Sequence, residues 1–119
     1  MQELRPGPTV SVALTLALAG CAAQEQVADA GDQYAFRVAR TPYSAARCIG
    51  ENAKTRPGAK GEERTLGESG MEVIVRASGG TLAVAKILHD GTFSSVNVLV
   101  TRLVGGDHAA YARSLVSGC

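Results

Sequence analysis

Between residues 71 and 104 apolar and polar side chains alternate in three successive runs, Met71–Ala77, Thr81–His89 and Phe93–Val104, with turn residues between them. This pattern constrains the fold more than any other feature of the chain, because a period of two is that of a β-strand with one buried face. Breaks this short leave room only for direct returns, so the runs predict an antiparallel meander. Asp90-Gly91 is a two-residue hairpin signal, since both residues tolerate the positive φ such a turn demands. It predicts Ala85 opposite Val96 and Ala83 opposite Val98. Ser78-Gly79-Gly80 admits a two- or a three-residue turn, and the choice decides which face each side chain joins. Only three loop residues bring Met71, Val73 and Val75 onto one apolar face with Ala83, Ala85, Ile87, Val96, Val98 and Val100. The same register sets Glu72 across from Lys86 on the other face.

Helical signals flank the meander. Thr41 can cap free N–H groups while Pro42 takes the first helical position, where its missing donor costs nothing. Ala45, Cys48, Ile49, Asn52 and Ala53 then share a face at helical spacing, and Pro57-Gly58 stops the helix. After Gly105-Gly106, Asp107 is a suitable cap for a second helix whose stripe is His108, Tyr111, Ala112, Leu115 and Cys119. The expected architecture is α+β in the order α-β-β-β-α, a three-stranded antiparallel meander with both helices on its Val-rich face. Ala83 and Ala85 are small enough to admit the helices closely. Tyr34, Phe36 and Val38 alternate with Ala35, Arg37 and Ala39, which reads as a further short strand or a packing arm. Thr55–Gly70, rich in glycine and charge, reads as a mobile surface loop whose charges serve solvation.

The N-terminus carries a separate message. Residues 1–20 divide into a short polar start, an apolar run from Thr9 to Ala19 and a small-residue end, the layout of a secretory signal peptide. The run is too short to span a bilayer, which takes about 20 apolar residues. Leu18-Ala19-Gly20-Cys21 resembles the lipobox of bacterial lipoproteins. The resemblance implies a diacylglyceryl group on the Cys21 sulfur, cleavage before that residue, and acylation such as palmitate on the new amine. Several acyl chains, each CH₂ contributing about 0.8 kcal/mol when buried, give lasting attachment to the lipid bilayer. Ala22, in place of the aspartate that retains such proteins at the inner membrane, implies an outer-membrane, periplasm-facing location. The expected organisation is therefore a signal peptide over 1–20, a lipidated tether over 21–40 and a small domain over 41–119. The order of elements is also similar to short proteobacterial lipoproteins, a likeness that transfers no function.

Of the three cysteines, Cys48 and Cys119 remain after Cys21 is assigned. An even pair in an oxidising compartment predicts one disulfide, joining the two helices. Such a staple suits a core poor in large side chains, for aromatic residues are 4 % of the chain and Trp is absent.

Chemistry is hard to find. Lys and Arg number 12 against 11 Asp and Glu, interspersed to a net charge of +1, so no basic face offers itself to nucleic acid. His89-Asp90 and Asp107-His108 are two His–Asp pairs without metal-ligand spacing, best read as a hairpin tip and a helix cap. Ser44, Ser114 and Ser117 lack a G-x-S-x-G elbow, and Glu62 and Glu63 lie adjacent in a segment read as flexible. Gly105-Gly106-Asp107 also reads as capping rather than anion binding. No catalytic residue, metal or cofactor is therefore expected. The second sheet face is more informative, with Ile74, Leu82, Val84, Leu88 and Leu99 set among Glu72, Arg76, Lys86, Ser95, Asn97 and Thr101. Ile74, Leu82, Val84 and Leu99 form the candidate interface for a protein partner or a second copy. The expected function is a non-enzymatic, membrane-anchored interaction or structural module. The alternative is an inhibitor or immunity-type protein that blocks an exported hydrolase with Thr55–Gly70.

Overall fold

The alternating segments do form strands, but two further strands join them, so the sheet has five members rather than the three expected. The computed structural model describes residues 31–119, arranged as β1 (Gly31–Val38), α1 (Pro42–Ala53), β2 (Lys60–Leu66), β3 (Gly70–Ala77), β4 (Gly80–Asp90), β5 (Phe93–Thr101) and α2 (His108–Val116). The signal segment, Cys21 and residues 22–30 of the expected tether lie outside the described residues. All neighbouring strands run antiparallel in the order β1-β5-β4-β3-β2. The meander thus runs from β2 to β5, while β1 closes the far side and α1 carries the chain back across the sheet.

Each added strand has a physical reason. Tyr34 and Phe36 pack against the core and Val38 is buried in it, so the alternation noted at β1 marks a strand paired with β5 along its whole length. β2 replaces the expected mobile loop. Its helix-side positions are Gly61, Glu63 and Thr65, none of them a core former. Gly61 suits that position because a Cβ would sit 3.0 Å from the Cα of Gly50 and 3.2 Å from Cγ1 of Val73, so a glycine there lets α1 lie directly on the strand. The charges also pair. Arg64 meets Glu72 across the ladder at 3.2 Å, Glu62 meets Arg76 at 3.3 Å, and Glu63 reaches Arg47 of α1 at 3.8 Å.

The hairpin registers carry one correction and one refinement. The β4–β5 loop is Gly91-Thr92, not Asp90-Gly91, because Asp90 pairs with Phe93. Gly91 alone takes positive φ (64°), which suits a turn with that demand only at its first position. The register therefore moves by two: Ala85 faces Val98 and Ala83 faces Val100, and the side chains paired across β4 and β5 stay on their expected faces. At the other turn the loop is Ser78-Gly79, two residues and not the three expected, because Ala77 pairs with Gly80, yet Glu72 still faces Lys86 and Val75 faces Ala83. A bulge between these pairs absorbs one extra residue, Leu82.

Both helices lie on the face bearing Val73, Val75, Ala83, Ala85, Ile87, Val96, Val98 and Val100, all fully buried. Thr41 accepts the Ser44 N–H and Asp107 accepts the Ala110 N–H, the two caps read from sequence. Cys48 and Cys119 form the disulfide between α1 and the end of the chain, with Cα atoms 5.8 Å apart. The Asn52 amide adds to this junction by donating to the carbonyls of Leu115 and Ser117, both at 2.8 Å.

β1 is fastened to the helical layer by His108. Its Nδ1 lies 2.7 Å from an Asp32 carboxylate oxygen and its Nε2 lies 2.6 Å from the Val104 carbonyl. Both neighbours accept, and a neutral imidazole donates from one nitrogen only, so the arrangement is fully satisfied by the cation. The hydrogen bond to Val104 and then that to Asp32 raise the His108 pKa above its ordinary 6.5, assisted by the charges of Asp32 and Asp107 and opposed by burial. A raised folded-state pKa gives stability that is complete below about 6.5 and is lost as pH rises through the folded value. The denaturation midpoint of the wild type is therefore expected to fall on titration from pH 6 to pH 9, and that of His108→Gln to stay flatter. Parallel profiles would show that the ring is not a charged link.

Candidate functional site

The sheet face away from the helices is built of rows that run across the strands. One row holds Gln33, Leu99, Val84, Ile74 and Glu62; the next holds Ala35, Asn97, Lys86, Glu72 and Arg64. Between these rows lies a groove of about 510 Å³ lined by Gln33, Glu72, Val84, Lys86, Asn97 and Leu99. Its floor is apolar and half-buried at Val84 and Leu99, and its walls carry two amides. Glu72 is buried here, its side chain only 10 % exposed, and its charge is met by Arg64. Lys86 is exposed at the rim and forms no ion pair among the described residues.

Beyond the groove, toward the β4–β5 turn, the same face presents Leu88 at 53 % exposure and Phe93 at 39 %. The Arg37 guanidinium lies 4.6 Å above the Phe93 ring and 3.6 Å from Asp90, so it covers an aromatic surface that would otherwise face water. The result is an apolar strip with fixed charges beside it.

The four residues read as an interface therefore fare differently. Val84 and Leu99 come together in the groove, and Ile74 lies in the same row but is buried by its neighbours. Leu82 is elsewhere: the bulge turns it into the hydrophobic core, where it is 5 % exposed. Alternation alone places Leu82 with Val84, and a single inserted residue overrides it. Gln33, Arg37 and Phe93 belong to this face and were not singled out. The strand signal at Tyr34–Val38 could have found the first two once pairing with β5 was assumed.

The other polar candidates have local roles. His108 binds Asp32 rather than the neighbouring Asp107. Ser44 accepts from Arg40, and Ser114 donates to the Tyr111 carbonyl. Glu62 and Glu63 point to opposite faces of β2, where they meet Arg76 and Arg47 respectively. Burial raises the pKa of Tyr34, with Asp32 and Asp107 adding to the effect, which keeps its hydroxyl neutral beside them. Burial likewise raises that of Tyr111, whose hydroxyl has no hydrogen-bond partner among the described residues. Among the described residues no group of three or more His, Cys, Asp or Glu is placed to hold a metal, and no helix is long and apolar enough to cross a membrane. Comparison with protein-family models, with curated proteins and with solved structures returned no match to this chain.

Proposed function

We propose that this chain is a lipid-anchored module of the bacterial cell envelope, attached through Cys21 to the outer membrane and facing the periplasm, which binds a protein partner without catalysis. The groove floored by Val84 and Leu99 carries this reading, since it places apolar surface, two amides and an exposed lysine on an open sheet face. The anchor rests on Leu18-Ala19-Gly20-Cys21 and the apolar run before it. The Cys48–Cys119 bridge suits an oxidising compartment.

Two variants test the two halves. Cys21→Ser is expected to abolish incorporation of labelled palmitate and to leave the protein out of the outer-membrane fraction. Leu99→Asp, in a chain that is still lipidated, is expected to weaken recovery of a co-purifying envelope protein at least tenfold, with far-UV circular dichroism unchanged. A wild-type protein that takes up no label sinks the anchor. Undiminished co-purification with Leu99→Asp sinks the groove.

A further inference from the structure

We propose that the edge of β1, unpaired among the described residues, is a self-association surface, through which two copies of this chain pair antiparallel into one continuous sheet. This goes beyond the reading above, since it uses the edge of the sheet rather than its open face.

A sheet edge presents unpaired N–H and C=O groups, and proteins that must stay apart protect such edges with charge, proline or bulges. The two edges here are treated differently. β2 is the more heavily charged, with Lys60, Glu62, Glu63 and Arg64 exposed along it, although the last three also pair within the domain. β1 has the sequence GDQYAFRV, so Asp32 and Arg37 are its only charges, and both are drawn back onto their own domain. Asp32 is held by His108 at 2.7 Å, and Arg37 lies over Phe93 and beside Asp90. No proline interrupts the strand, and its register with β5 is unbroken from Gly31 to Val38. What remains is an edge of unbroken register that carries only two charges, each exposed but paired within its own domain.

The strand is also complementary to itself. A two-fold axis normal to the sheet through Ala35 sets Ala35 against Ala35 of the second copy. Tyr34 then faces Phe36 of the second copy, and Gln33 faces Arg37 of the second copy. Directly opposed residues in an antiparallel ladder share a face. The aromatic pairs therefore fall on the helix side, where Tyr34 and Phe36 already border the core. The Gln–Arg pairs fall on the open face. Moving the axis one step, to Tyr34, would instead oppose Asp32 to Phe36. The pairing also extends the groove, because Gln33 forms its β1 wall and Arg37 of the second copy comes to stand beside it.

The test is sedimentation equilibrium of the full chain in density-matched detergent. The wild type is expected to be a dimer at about 50 μM. Ala35→Lys and Ala35→Glu each place like charges on the axis, and each is expected to weaken the dimer about tenfold or more, equivalent to about 1.4 kcal/mol. An equimolar mixture of the two is expected to restore it, which a merely misfolded variant would not do. Mild oxidation supplies a second readout. Residues opposed at the axis have Cα atoms about 5 Å apart, within disulfide reach, so Ala35→Cys is expected to cross-link and Gln33→Cys is not. A monomeric wild type, a dimer that both charged variants retain, or loss without rescue and without Ala35→Cys cross-linking overturns the proposal.

Discussion

Replacing Cys48 and Cys119 together by serine is expected to lower the unfolding free energy by about 4 kcal/mol, a large share of the 5–15 kcal/mol typical of a small domain. The bridge spans 71 positions of sequence, so it restricts most of the described chain in the unfolded state. The bridge joins α1 to the segment just after α2, and these parts are otherwise held by modest contacts. α2 contributes only Ala112 and Leu115 to the fully buried set, and Asn52 supplies two hydrogen bonds to its last turn. Arg40 adds a hydrogen bond to the Cys119 carbonyl at 2.9 Å, but it is exposed. The serine variant should therefore fold at low temperature while its urea midpoint falls steeply. Wild type treated with reductant should reproduce that midpoint. Equal midpoints with and without the bridge would mean that the helix pair is held by packing alone.

The same comparison shows what could be read from residues in order. The core face of β3, β4 and β5 and both helix caps follow from periodicity and residue type, because each depends on contacts whose partners lie nearby, and the Cys48–Cys119 pairing follows from the cysteine count once Cys21 is set aside. The strand count did not follow. β2 has no apolar alternation, since one of its helix-side positions is a glycine suited to the close approach of Gly50, and its stabilising partners Glu72, Arg76 and Arg47 lie on other elements. β1 shows alternation, but nothing local says that it pairs with β5, the strand most distant from it in sequence. The groove was legible in part for the same reason. Val84 and Leu99 are neighbours because of a hairpin, whereas Gln33 joins them only through the long-range pairing, and Leu82 is withdrawn by a bulge that leaves no mark in the alternation.

Ile49→Ala is expected to cost about 4 kcal/mol, close to the effect of removing the bridge. The buried face of α1 consists of Ala45, Ala46, Ile49, Gly50 and Ala53, so Ile49 is its only large side chain and is fully buried. Substitutions of this type cost 2–5 kcal/mol, the higher values arising where the surroundings cannot close over the space left behind. Here they cannot. Gly50 already lies against β2, with little room for even a Cβ on Gly61, so the helix is unable to sink toward the sheet. Its neighbours along the helix are fixed as well, Cys48 by the disulfide and Asn52 by its hydrogen bonds to the C-terminal turn. Ile49→Val, which removes one methylene group, should cost only about 1 kcal/mol. Urea denaturation of both variants with the disulfide intact distinguishes a held helix from one free to settle. If Ile49→Ala loses less than about 2 kcal/mol, α1 does relax into the space, and the Gly50–Gly61 contact is not what sets its height above the sheet.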